Sequence, residues 1–99
     1  MLGLMMDRPL LISDQIEFAA TYFPDVEIVS RNTDGTIHRT SWGQVARRAR
    51  QLAHALVAMG IQQGDRVGTI AWNNHRHLEL YFAVSSLGAV LHTINPRLS

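Results

Sequence analysis

Residues 64–94 read GDRVGTIAWNNHRHLELYFAVSSLGAVLHTI, and the fold is decided there. Gly64-Asp65 marks a turn, and VGTIA (67–71) follows as an apolar run of strand length. NNHRHLELYFAVSSLG (73–88) is long enough for a helix, with Asn73 or Asn74 as its cap and Gly88 as its terminator. AVLHTI (89–94) is a second strand. Strand, helix and strand joined by short loops form a βαβ unit, which predicts parallel strands with a right-handed crossover. VGTIA is mostly apolar on both faces, as expected of a strand covered on two sides. Leu78, Leu80, Tyr81, Phe82, Val84 and Leu87 wrap almost the whole helix, so deep burial of that helix is expected.

Upstream lies the strongest helical signal, TSWGQVARRARQLAHALVAMGI (40–61). Ser41 and Gln44 match a capping box, in which each side chain satisfies the other residue's backbone N–H. Trp42, Val45, Ala49, Leu52, Leu56 and Met59 are spaced three or four apart and form one apolar stripe. Burying its large members would contribute about 1.5–3 kcal/mol each before entropy. Gly60 suits the left-handed position after the helix, with Ile61 as the apolar contact that follows. Before it, DVEIVSRNTDGTIHRT (25–40) reads as a hairpin: Val26 and Ile28 alternate with polar residues, and Asp34-Gly35 supplies residues that tolerate positive φ. ISDQIEFAATYFP (12–24) reads as a helix capped by Ser13 and stopped by Pro24, with Ile16, Ala19, Ala20 and Phe23 on one face. Residues 1–10 read as a leader.

The composition excludes several classes of function. The chain is 46% hydrophobic and 17% charged, which is globular and not disordered. All nine cationic side chains are arginine, and against eight carboxylates the formal charge is +1. That balance does not by itself point to nucleic acid, and none is expected as a partner. With no cysteine there is no disulfide, zinc–thiolate site or thiol nucleophile, and a reducing cytoplasm fits. No apolar run reaches the ~18–20 residues of a membrane span.

No catalytic, cofactor-binding or metal-binding residue emerges from motif reading. His75 and His77 are two apart, whereas helical metal pairs sit at i, i+3 or i, i+4, so a surface cluster near the cap is expected. His38, His54 and His92 read as isolated. Arg47, Arg48 and Arg50 could meet phosphate, RNA or acidic lipid, but no aromatic residue is interleaved for base stacking; a solvated face paired with carboxylates is expected. Trp42 and Trp72 adjoin element boundaries and are expected to complete the core. Gly60, Gly64 and Gly68 do not form G-x-G-x-x-G, and without lysine there is no phosphate loop ending in G-K-S/T. G-x-S-x-G and H-E-x-x-H are absent as well.

What motifs withhold, the order of segments supplies. From about Leu11 to Ser99 the chain resembles the N-terminal part of acyl-adenylate-forming enzymes, the AMP-dependent synthetase/ligase superfamily. The likeness lies in a helix like residues 41–60, the G-D-R-V turn (64–67), the E-x-Y-F-A stretch from Glu79 to Ala83, and a strand closing on N-P-R-L, Asn95 to Leu98. Within that superfamily the wording is similar to bacterial long- and medium-chain fatty acyl-CoA synthetases and to ligases of 3-methylthiopropionate.

The resemblance implies an α/β fold: an incomplete N-terminal portion of the synthetase large domain, helix–hairpin–helix and then the βαβ unit, over residues 11–99. For the full-length enzyme it implies ATP, Mg2+ and CoA as cofactors and a small carboxylic acid as substrate. The remainder of the ligase chain is its implied partner, a homodimer is an option, and its setting is the cytoplasm or the membrane periphery. The family's Ser/Thr/Gly-rich loop with Pro-Lys-Gly, its Mg2+-binding acid and its late lysine have no counterpart here. None of these cofactors is therefore expected to bind this chain, and scaffold is the role expected of it. The alternative expectation is a freestanding α/β interaction module that binds a partner chain through an exposed sheet edge.

Overall fold

The computed structural model describes residues 10–97. Seven elements follow one another: α1 (Ile12–Tyr22), β1 (Glu27–Arg31), β2 (Ile37–Ser41), α2 (Trp42–Ala58), β3 (Arg66–Ile70), α3 (His75–Ser86) and β4 (Val90–Ile94). β1 and β2 pair antiparallel with Ser30 opposite His38, and β3 and β4 pair parallel with Thr69 opposite Thr93. They form two separate two-stranded sheets. The α/β class and the parallel βαβ unit are as the sequence predicts. Residues 1–9 of the 1–10 leader and the last two residues of the N-P-R-L-S stretch lie outside the described residues.

The core is helical. Ile16 of α1, Val45, Ala46 and Ala49 of α2, and Ala83 of α3 form one buried cluster, closed by half-buried Ile28, Trp42, Leu52, Leu78 and Phe82. Alanines at 46, 49 and 83 let the helix backbones approach closely, and Trp42 meets Phe82 edge-on at 6.2 Å. The stripe on α2 is buried through Leu56, but Met59 is exposed. Beyond it the chain leaves the helix in the predicted manner. Gly60 takes φ +98° and donates to Val57 O, while Ile61 donates to Leu56 O, closing a Schellman motif. Gly88 (φ +72°) with Ala89 donating to Val84 O repeats it after α3.

Three local expectations are corrected. Ser13 does not cap α1: the helix begins one residue earlier, at Ile12, and its cap position, Leu11, offers no side-chain acceptor. The capping box on α2 is half formed. Ser41 Oγ accepts from Gln44 N–H, but the Gln44 carbonyl oxygen accepts from the Thr40 hydroxyl at 2.8 Å instead of reaching back to Ser41. At the hairpin Gly35 alone takes positive φ; Asp34 uses its carboxylate to accept from Thr36 N–H and Oγ–H. Those two hydrogen bonds, the hydroxyl first, hold Asp34 below the usual carboxylate pKa.

The parallel pair departs furthest from expectation. β3 is not covered on two sides: Thr69 is buried, while Ile70 is 72% exposed and Val90 of β4 52% exposed. α3 packs on one face only, and alternate residues face outward. α3 itself is less enclosed than its sequence predicts. Val84 is fully buried, but Tyr81 is exposed and Leu78, Leu80, Phe82 and Leu87 are half-buried.

Candidate functional site

The polar residues of α3 went where its apolar ones were expected. His75, His77 and Glu79 are all buried, at 7%, 4% and 4% exposure. Asn74 caps the helix, its side-chain oxygen accepting from Arg76 N–H and His77 N–H. That fixes the first turn and aims the two imidazoles apart, since residues i and i+2 point in different directions on a helix. His77 turns toward β3: its Nδ1 lies 3.2 Å from Asn73 Oδ1 and its Nε2 3.1 Å from Thr69 Oγ1. The amide oxygen can only accept, so Nδ1 donates to it, and Nε2 shares a hydrogen bond with the threonine hydroxyl. His77 is a peg fastening helix to strand.

His75 turns toward the hairpin instead. Its ring stacks on His38 with centroids 3.5 Å apart and planes 10° from parallel, and its Nδ1 is 3.4 Å from Ser30 Oγ. The predicted surface cluster and the predicted isolation of His38 are thus both corrected. Burial first, and the neighbouring His38 second, push the His75 pKa below its ordinary value. The Nδ1 of His38 is itself buried and has no hydrogen-bond partner among the described residues.

Glu79, the acid of the E-x-Y-F-A stretch, is buried because α2 supplies its counter-ion. Arg48 Nε donates to Glu79 Oε2 at 2.5 Å, and that bond, with the carboxylate charge, raises the arginine pKa. Arg50 pairs with exposed Glu17 of α1 at 3.1 Å. Two of the three arginines thus meet carboxylates as expected. The G-D-R-V turn is structural too: Asp65 accepts from Gln62 N–H, and its carbonyl accepts from Val90 N–H at 2.7 Å, tying the entry of β3 to β4.

Among the depressions that border α3, two are lined by histidines. The first, about 430 Å³, opens at the carboxyl ends of β3 and β4, where parallel sheets commonly place ligands. Trp72, Asn73, His77, Tyr81 and Asn95 line it, and Arg97 lies over the Trp72 ring at 5.3 Å. Trp72 is 46% exposed and does not complete the core, as it was expected to do; Trp42 does. The second depression, about 520 Å³, lies between β2, α2 and the start of α3. Among the described residues no three histidine or acidic side chains are grouped to hold a metal ion. The lysine that the resemblance requires for adenylate chemistry has no counterpart anywhere in the sequence. These residues do not fit Mg2+, and no step of an adenylation is assigned to them.

The described residues thus combine buried polar pegs, one uncovered sheet face and a cleft at the strand ends. The model of the AMP-binding enzyme family matches residues 16–99, and the chain belongs to that family. It is 58% identical over 98 residues to the 3-methylmercaptopropionyl-CoA ligase of Ruegeria lacuscaerulensis, covering 99% of this chain and 18% of that one. Against the medium-chain-fatty-acid–CoA ligase of Ectopseudomonas oleovorans identity is 54%, with the same 99% and 18% covered. Among solved structures, the N-terminal domain of FACL13 from Mycobacterium tuberculosis superimposes with a TM-score of 0.81 at 28% identity, over 92% of this chain and 23% of that one. The chain therefore spans about a fifth of its curated relatives.

The sequence could have disclosed part of what motif reading missed. An α3 that is apolar nearly all round has no polar face left for His75, His77 and Glu79, so buried positions were the remaining option. Nothing in the sequence announces which arginine meets Glu79, a pairing across 31 residues.

Proposed function

We propose that residues 11–99 are the N-terminal portion of the ligase domain of an acyl-CoA synthetase. In the full-length enzyme a carboxylic acid and ATP form an acyl-adenylate with release of pyrophosphate. The CoA thiol then displaces AMP to give the thioester. Within this scheme the segment is scaffold. Its helical core holds α3 rigid, α3 holds the parallel pair, and the open face of that pair receives the rest of the domain. The observation that carries the reading is 58% identity to an acyl-CoA ligase across 98 residues, together with a sheet face that the described residues leave bare. A carboxylic acid is the substrate class that the relatives support, with 3-methylmercaptopropionate and medium- or long-chain fatty acids as its forms.

A transplant tests this. The matching N-terminal segment of the Ruegeria lacuscaerulensis ligase is replaced by residues 1–99, and thioester formation is followed with 3-methylmercaptopropionate and with octanoate. Activity within about tenfold of the parent is expected, since a scaffold that preserves geometry to within a few tenths of an ångström loses little. The 99-residue chain alone should show no ATP–pyrophosphate exchange. A stable chimera without activity, or an isolated chain with it, would refute the scaffold role.

A further inference from the structure

The depression between β2, α2 and α3 has a charge pattern that the scaffold role leaves unused. One wall is a single stripe of α2: Gln44, Arg47, Arg48 and Gln51, at i, i+3, i+4 and i+7. The other carries His38 and Thr40 of β2 with His75 and Arg76 of α3. No aspartate or glutamate lines it. The charge of Arg48 is balanced by Glu79 just outside the rim, which leaves two guanidinium charges, Arg47 and Arg76, in one concavity. Arg76 also stands in the first turn of a twelve-residue helix, where the positive end of the dipole adds to its field. The rest of the wall is made of the amides of Asn32, Gln44 and Gln51, the Thr40 hydroxyl and the stacked imidazoles of His38 and His75, and the amide N–H groups can donate to sugar or phosphate oxygens.

We propose that this depression binds a phosphate-bearing small molecule, its phosphomonoester dianion gripped by Arg47 and Arg76. Two guanidinium groups unpaired among the described residues, in a wall without a carboxylate, match a dianion better than a monoanionic carboxylate, and guanidinium groups pair with phosphate oxygens through parallel N–H donors. The volume, about 520 Å³, lies within the range of small-ligand pockets. Single-stranded nucleic acid fits poorly, because the two rings in the wall stack on each other and offer no free platform for a base. The proposal stands apart from the ligase reading, since it uses no residue of the strand-end cleft.

The test is a titration of the 99-residue chain with inorganic phosphate, read at the His38 and His75 ring resonances by NMR. Arg47→Gln, Arg76→Gln and a remote control, Arg66→Gln on β3, are run alongside. All three arginines are exposed, so circular dichroism should be unchanged in each variant. Saturable shifts are expected in the parent, with affinity falling roughly three- to tenfold in each of the first two variants and staying within error in the control. Shifts that never saturate, or an equal loss in Arg66→Gln, would mark general charge screening and overturn the proposal. A parallel arm uses phosphatidylcholine vesicles doped with phosphatidic acid. No co-sedimentation is expected; vesicle binding dependent on Arg47 without a saturable response to free phosphate would overturn it in favour of a lipid headgroup.

Discussion

The helical half of the molecule and its parallel strand pair solve burial in opposite ways. Around α1, α2 and α3, small residues bring the backbones together, and Val45 is left 1% exposed. In the parallel pair the register is continuous from Arg66 opposite Val90 to Ile70 opposite Ile94, yet Ile70 and Val90 face open space. The first region has a buried centre, although Phe18, Tyr22, Val57 and Met59 stay exposed on its outer faces, whereas the second has its hydrogen bonds on one edge and its packing on one face. A scaffold segment needs both. In the proposed scaffold role, the helical half provides the stability that holds the open half in shape, and the open half is where further chain adds.

Substitutions that break this contrast should differ steeply in effect. Val45→Asp places a carboxylate in the closed half with no partner, and should abolish cooperative urea unfolding by circular dichroism; a two-state transition at unchanged midpoint would contradict the core assignment. Arg48→Leu comes next, at about 2–3 kcal/mol, because it strands the buried Glu79. Glu79→Gln should cost less, about 1–2 kcal/mol, since it leaves a half-exposed arginine in contact with water. If the order is reversed, the burial of Glu79 is wrong.

Gly60→Ala forces a side chain into φ +98° and should cost about 1 kcal/mol by the same denaturation measurement. The pH response is smaller and has a definite sign. His75 titrates lower in the fold than in the unfolded chain, so its contribution is complete above the ordinary histidine pKa of 6.5 and is lost as pH falls below that value. The urea midpoint should therefore drop on going from pH 7.5 to 5.5, and His75→Gln should flatten that drop. A midpoint that rises on acidification would place the histidine next to a dominant negative charge instead.

The closed half was largely legible. The 3–4 spacing on α2 and the Gly60-Ile61 ending report backbone periodicity and a left-handed turn, both local properties. The parallel pair was legible in order and direction, because short loops around a helix leave little choice. Its exposure was not. VGTIA states that the strand suits burial on two faces, and within the described residues only one face is covered. The stacking of His38 on His75 and the pairing of Arg48 with Glu79 join residues far apart along the chain, and no local pattern encodes such meetings. The E-x-Y-F-A stretch was identified by resemblance alone; its physical reason, a buried acid fixing α3 to α2, came from the packing.

Ile70→Ser tests the open face most directly, because the same change can be read in two settings. In the 99-residue chain Ile70 touches little, and the substitution should alter stability by less than about 0.5 kcal/mol. In the chimeric full-length ligase the proposed scaffold role covers the open face, and the same substitution should then cost about 2 kcal/mol, seen as a drop of several degrees in Tm. An equal, negligible effect in both settings would contradict the claim that this face is where the rest of the enzyme packs.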